Sequence, residues 1–140
     1  MPIDCRCGFS FRLRGHLWVI VAELPGPPVQ VVIVSLTTKR ADSDTTVVLR
    51  SGDHPFIKHD TIISYSDARQ ISKNDLIDRI ERKFFGISEI FAEDKLKIIQ
   101  RGLLISPHTP KEIKSLCRVA FVAFKEMSSS EESATDNTLN

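Results

Sequence analysis

One run of residues decides most of what this chain can become. Val29 to Leu36 reads Val-Gln-Val-Val-Ile-Val-Ser-Leu. β-Branched side chains are stiff at χ1 and pack well on a pleated surface, so this run is expected to be the strongest strand in the chain. His16 to Ala22 is a second continuous run, of β-branched and aromatic residues, with the signature of a strand buried on both faces. Leu24-Pro25-Gly26-Pro27-Pro28 lies between them. Its prolines lack the N–H that a strand ladder needs, so it is expected to be a loop.

Shorter strands are expected around this pair. Phe9, Phe11 and Leu13 alternate with Ser10, Arg12 and Arg14, the period of a half-buried strand, and Gly15 breaks it. The polar stretch Lys39 to Asp44 is a loop, and Thr45 to Leu49 is the next strand. Ser51-Gly52-Asp53 is a turn, followed by short strands at Thr61 to Ser64 and Ala68 to Ile71. Five or six short strands separated by turns point to a small antiparallel barrel.

The pattern changes after Ser72. Ser72 followed by Asp75 resembles a helix start, and Leu76, Ile77, Ile80 and Phe84 have helical spacing. A helical turn leading into a strand through Ile80 to Phe85 is the competing reading, with Gly86 ending the segment. Ser88 to Ile105 places Ile90, Phe91, Leu96, Ile99 and Leu103 on one side of a helix. Thr109-Pro110-Lys111-Glu112 reads as a capped helix start, with the helix running to about Lys125. That last helix either covers its own core or serves as an interaction element. Ser128 to Asn140 is rich in Ser and acidic residues without aromatics, and is expected to be a disordered tail. The expected fold is α+β, mainly β, with residues 1–127 as one domain and 128–140 as the tail.

Several function classes are disfavoured by composition. The formal net charge of +1 gives no overall field for nucleic acid or membrane, although a local basic patch is compatible with it. No apolar run reaches the roughly 18 residues of a spanning helix, so no membrane partner is expected. Met1 to Arg14 has charges but no apolar core of a secretory signal, which makes the cytoplasm the default location. Three cysteines, an odd count, do not make a disulfide framework. Cys5 and Cys7 are one residue apart with no second pair, short of the four ligands of a closed zinc site, so no metal is expected. A Gly-x-Ser-x-Gly elbow and a Gly-rich phosphate loop are both missing, and no cofactor is implied.

Two polar stretches carry candidate chemistry. Gly52-Asp53-His54-Pro55-Phe56-Ile57-Lys58-His59-Asp60 brings two histidines and a lysine into one loop. Histidine transfers protons near neutral pH, and lysine offsets phosphate charge. The alternative is structural: His54 caps a turn, Pro55 and Phe56 plug the barrel mouth, and Lys58 and His59 meet only water. Thr37-Thr38-Lys39-Arg40 offers hydroxyl and cationic donors suited to a phosphodiester. Its alternative is β-propensity for the threonines and solvation for the charges.

The order of these pieces resembles the PemK/MazF family of bacterial toxins. The resemblance runs through Gly15-His16-Leu17-Trp18-Val19, Val31 to Thr38, Val47-Val48-Leu49 and Thr61-Ile62-Ile63. It continues in Ala68-Arg69-Gln70-Ile71, Ser72 to Leu76 and the helix through Leu96 and Ile99, covering about residues 15–105. The resemblance implies an SH3-like barrel, a homodimer, a small antitoxin partner and metal-independent cleavage of single-stranded RNA. It matches the family threonine to Thr37, as the hydroxyl donor to phosphate. The family's arginine, in a Gly-x-Arg-Pro setting before the strand, has no counterpart in Leu24 to Gln30. Preorganised charge of that kind typically lowers a barrier by several kcal/mol. Lys39, Arg40, Lys58 and His59 are the candidates to replace it. The resulting expectation is Thr37, His59 (proton acceptor) and Lys58 as catalytic residues. Thr38, Lys39, Arg40, His54 and Arg69 are the expected RNA contacts. The alternative is a non-catalytic SH3-like module that binds nucleic acid or a protein through the same groove.

Overall fold

The computed structural model describes residues 5–122. The tail expected over 128–140 and the end of the helix expected to reach Lys125 lie outside the described residues. The described residues are α+β, mainly β: they form one six-stranded antiparallel sheet, curled into a half-barrel, with three helices. The strands are β1 (Ser10–Leu13), β2 (His16–Leu24), β3 (Gln30–Thr38), β4 (Val48–Leu49), β5 (Thr61–Ser72) and β6 (Gly86–Ile87). Their order across the sheet is β4-β5-β3-β2-β1-β6, so β3 is central and β4 and β6 are the edges. The helices are α1 (Lys73–Glu81), α2 (Glu93–Ile105) and α3 (111–122).

The sheet is covered on both faces, which is why β2 is apolar without alternation. Leu17, Val19, Val32, Val34, Leu36, Ile63 and Tyr65 form one core with Leu96, Ile99 and Leu103 of α2 and Ile113 and Cys117 of α3. Phe11, Trp18, Ile20, Val31 and Ile33 form a second core with Leu76 and Ile80 of α1. Each fully buried aliphatic or aromatic side chain contributes about 1.5–3 kcal/mol of transfer free energy. The β2–β3 register slips between Ile20 and Ala22, leaving Val21 as the extra residue of a bulge. Buried Gln100 of α2 donates from Nε2 to the Val21 carbonyl at 2.9 Å, so that polar oxygen is not left unpaired.

The structure corrects several boundaries. Thr61–Ser64 and Ala68–Ile71 are one strand, β5, with a bulge where strands were expected to separate. Pairing with β3 passes from Ile33–Arg69 to Ser35–Ser64, so residues 65–68 stand opposite Val34 alone. Tyr65 and Ala68 turn into the core, while Ser66 and Asp67 stay exposed. The strand expected from Thr45 shortens to Val48–Leu49, because Asp44 Oδ1 accepts from the Thr46 N–H at 3.0 Å and the Thr46 hydroxyl at 2.6 Å. A side chain that captures backbone donors in this way competes with a ladder. The helix expected from Ser88 starts at Glu93, because the Ser88 N–H donates to Ser10 O and the Phe91 N–H to Gly8 O. Gly86 does not end a segment but pairs with Arg12 in β6. Ser72 caps α1 as expected, accepting from the Asp75 N–H at 3.4 Å, and α1 continues to Glu81. The Thr109 hydroxyl donates to Leu103 O at 2.7 Å, tying the start of α3 to the end of α2.

Candidate functional site

The outer face of β3 changes character halfway along. Odd positions Val31 and Ile33 lie under α1, whereas Ser35 and Thr37 on the same face carry hydroxyls. Register places Trp18, Ser35 and Ser64 side by side on β2, β3 and β5. Ser64 Oγ and Ser35 Oγ both donate to Asp67 Oδ2, at 2.9 and 3.4 Å. Arg69 lays its guanidinium 5.0 Å from the centre of the Trp18 ring and donates from Nε to Asp67 O at 3.2 Å.

This face ends in a polar cleft of about 290 Å³, lined by Thr37, Thr38, Arg40, Asp44, Ser64 and His108. Its walls come from the end of β3 and the loop after it, from Ile62, Ser64 and Ser66 of β5, and from His108, with the loop before β5 lying alongside. Lys39 N–H donates to Asp60 O at 3.1 Å and brings the loop before β5 alongside the end of β3. His59 Nε2 then lies 2.9 Å from Thr38 Oγ1. Thr61 Oγ1 donates to His59 O at 2.9 Å, so the residue is held at both ring and backbone. Arg50 pairs with Asp60 at 3.3 Å in the same loop.

Asp44 holds the floor of the cleft. Burial pushes its carboxyl up, but hydrogen bonds from Ser106 and Thr46, with the nearby His108, outweigh that and hold it below the ordinary carboxylate value. The Ser106 Oγ bond, 2.6 Å, joins the loop after β3 to the α2–α3 connection. A carboxyl whose folded value is depressed stabilises the fold fully above its unfolded value, and that contribution fades as pH falls through the folded value. The melting temperature is therefore expected to fall more steeply between about pH 5 and about pH 3 for the native protein than for Asp44→Asn. Parallel pH profiles would refute the assignment.

The structure brings together only part of the set expected from the sequence. Thr37, Thr38 and Arg40 line the cleft, with Lys39 exposed beside them. His59 meets Thr38 rather than Thr37, and it is not among the residues that line the cleft. Lys58 is exposed next to His59. Arg69 belongs to the separate pair with Trp18.

His54 offers no face to an RNA strand, since it is only 2 % exposed. The Phe56 N–H donates to its Nδ1 at 3.0 Å, which places the ring proton on Nε2, and Nε2 donates to Glu89 O at 2.8 Å. Its ring stacks on Phe91 at 4.3 Å. His54 thus fastens the loop carrying His59 to the segment before α2. His54→Ala is expected to destabilise the protein by about 2–3 kcal/mol through the lost stack and unpaired buried groups. A thermal melt within a degree or two of the native protein would contradict this.

Ser35, Ser64, Asp67, Trp18 and His108 were not expected at a site. The switch from Val31 and Ile33 to Ser35 and Thr37 at alternate positions is the signal that marks the open half of this face.

A larger cleft of about 620 Å³ lies elsewhere, walled by Cys7, Glu23, Phe91, Gln100 and Phe121 among others. Burial pushes the Cys7 thiol up to about 11, with the Glu23 charge adding to it, and the Cys117 thiol up to about 12. Both are protonated near neutral pH and are poor nucleophiles or metal ligands there. Glu23 is engaged by Lys73 at 2.5 Å. Among the described residues, no group of three or more His, Cys, Asp or Glu side chains is placed to hold a metal. None of the helices in the described residues is long and apolar enough to cross a membrane. In comparisons with protein-family models, curated proteins and solved structures, the chain matches none.

Proposed function

We propose that this protein cleaves single-stranded RNA at the cleft closing β3, as a PemK/MazF-like ribonuclease of SH3-like type. The observation that carries this reading is the His59–Thr38 hydrogen bond, 2.9 Å, made to a residue that lines the cleft together with Thr37 and Arg40. A histidine held by a hydroxyl is suited to accept a proton from a ribose 2′-hydroxyl that displaces that hydroxyl. The 2′-oxygen then bonds to phosphorus, the bond from phosphorus to the 5′-oxygen breaks, and the same proton is returned to the leaving oxygen. Thr37 donates to a non-bridging phosphate oxygen, and Lys39, Arg40 and Lys58 offset the developing charge. A homodimer and a small antitoxin that covers the cleft complete the reading.

One observation favours the alternative of a non-catalytic binding module. The loop where the family arginine is expected lies at the start of β3, while Thr37 lies at its end. Seven residues of extended chain separate Gln30 from Thr37, about 23 Å. An arginine in that loop of the same chain would not reach the cleft, so the local cations carry the charge or catalysis is lost. Incubating the purified chain with a single-stranded RNA, in the presence of a chelator, tests the choice. Products ending in a 2′,3′-cyclic phosphate are expected; bound but intact RNA would leave the binding module, and neither binding nor cleavage would overturn both readings.

A further inference from the structure

We infer that Arg69, backed by Trp18, is a nucleobase-stacking subsite for RNA, and that Asp67 reads the ribose 2′-hydroxyl beside it. This rests on the reading of the partner as single-stranded RNA, and adds where a neighbouring nucleotide is held and how RNA is told from DNA.

The geometry is built rather than incidental. Trp18 is 8 % exposed, and the guanidinium 5.0 Å from its ring centre covers it. The Arg69 Nε bond to Asp67 O, 3.2 Å, restrains the guanidinium from its edge. Arg69 is itself exposed, so its guanidinium is accessible to a ligand from solvent. Unstacked bases are bound on aromatic rings and on guanidinium planes alike. An exposed guanidinium held over a buried indole is one such platform, and its charge suits a polyanion.

The neighbours supply the second half. Asp67 accepts from Ser64 and Ser35 through Oδ2. Its carboxylate has further acceptor sites, and a ribose 2′-hydroxyl is a donor that deoxyribose lacks. A carboxylate accepts well from a sugar hydroxyl, so Asp67 suits the sugar beside the stacked base. Ser35 and Thr37 are two residues apart on one face of β3, about 7 Å. That span is comparable to one nucleotide of an extended single strand. A strand with its phosphate at Thr37 therefore brings an adjacent base over Arg69 and its ribose to Asp67.

Trp18 is the only tryptophan in the chain, so its emission reports on this subsite alone. The test titrates an oligouridylate and its deoxyribose counterpart into the His59→Ala protein, which keeps the strand intact. Both are then repeated with Arg69→Lys or Asp67→Asn added. Lysine keeps the charge and covers the indole with its stem, but removes the plane. The oligouridylate is expected to change Trp18 emission and to bind about tenfold more weakly after Arg69→Lys. Asp67→Asn is expected to narrow the gap between the ribo and deoxy strands while the melting temperature holds. RNA binding with unchanged emission and unchanged affinity in both variants would overturn the subsite and leave the cleft reading standing. No binding of the oligouridylate, together with no cleavage by the native protein, would overturn both.

Discussion

Gly102→Ala is expected to destabilise this protein by about 2–3 kcal/mol and to lower its melting temperature by roughly 10 °C. Gly102 is buried in α2, where glycine is ordinarily about 1 kcal/mol worse than alanine. Propensity alone therefore predicts a stabilised variant. Packing predicts the reverse. A Cβ at this position would collide with the Tyr65 hydroxyl oxygen and Val47 Cγ2, and would lie 2.9 Å from Tyr65 Cζ. Tyr65 is fully buried and cannot swing into solvent. Its hydroxyl donates to Ile99 O at 2.7 Å, so displacing the ring also breaks a buried hydrogen bond. Burial, with the charge of Asp44 adding to it, pushes the Tyr65 hydroxyl well above its ordinary value, so it remains a donor throughout the accessible pH range. Tyr65→Phe isolates the hydrogen bond and should cost about 1 kcal/mol. A Gly102→Ala protein that melts at or above the native temperature would show that α2 does not sit against β5 as described.

The same contact shows why β5 carries the sequence pattern of two separate strands. Ser64 to Ala68 breaks the alternation that marks a strand, and a break in period ordinarily marks a strand end. Here it marks a bulge. Tyr65 and Ala68 both turn inward, and the first of them reaches α2 where only glycine leaves room. Local pattern reports the break but not its purpose, because the reason lies in a helix more than thirty residues further on. β2 and β3 were legible because a continuous β-branched run leaves few other structures open to the chain. The start of α2 was not, because Ile90 and Phe91 have helical spacing yet the backbone N–H groups of Ser88 and Phe91 are given to Ser10 and Gly8 of the first segment of the chain. The candidate site was legible in part for a related reason. Thr37 to Arg40 and His59 are conspicuous by residue type, but the hydrogen bond from His59 to Thr38 depends on how a loop returns to a strand end. His54 was conspicuous too, and its chemistry is spent on holding that loop.

Replacing His59 by alanine is expected to lower RNA cleavage by about 100- to 10,000-fold, the usual span for removing a general base. The folded state should hardly notice. His59 is exposed, and its ring makes a single hydrogen bond that water can replace, so the melting temperature should stay near the native value. Thr37→Ala should lower cleavage as well, by the loss of one donor to the phosphate. Arg40→Ala should act differently, weakening binding for every sequence and flattening its dependence on salt. His54→Ala provides the contrast that gives the experiment its force. It too should reduce cleavage, but only together with a lower melting temperature, since it acts by holding the loop. A histidine that matters for chemistry and one that matters for position thus separate on two axes measured in the same preparation. If His59→Ala cleaves RNA as fast as the native protein, the proton acceptor is elsewhere, and the hydrogen bond to Thr38 is only a brace between a loop and a strand end.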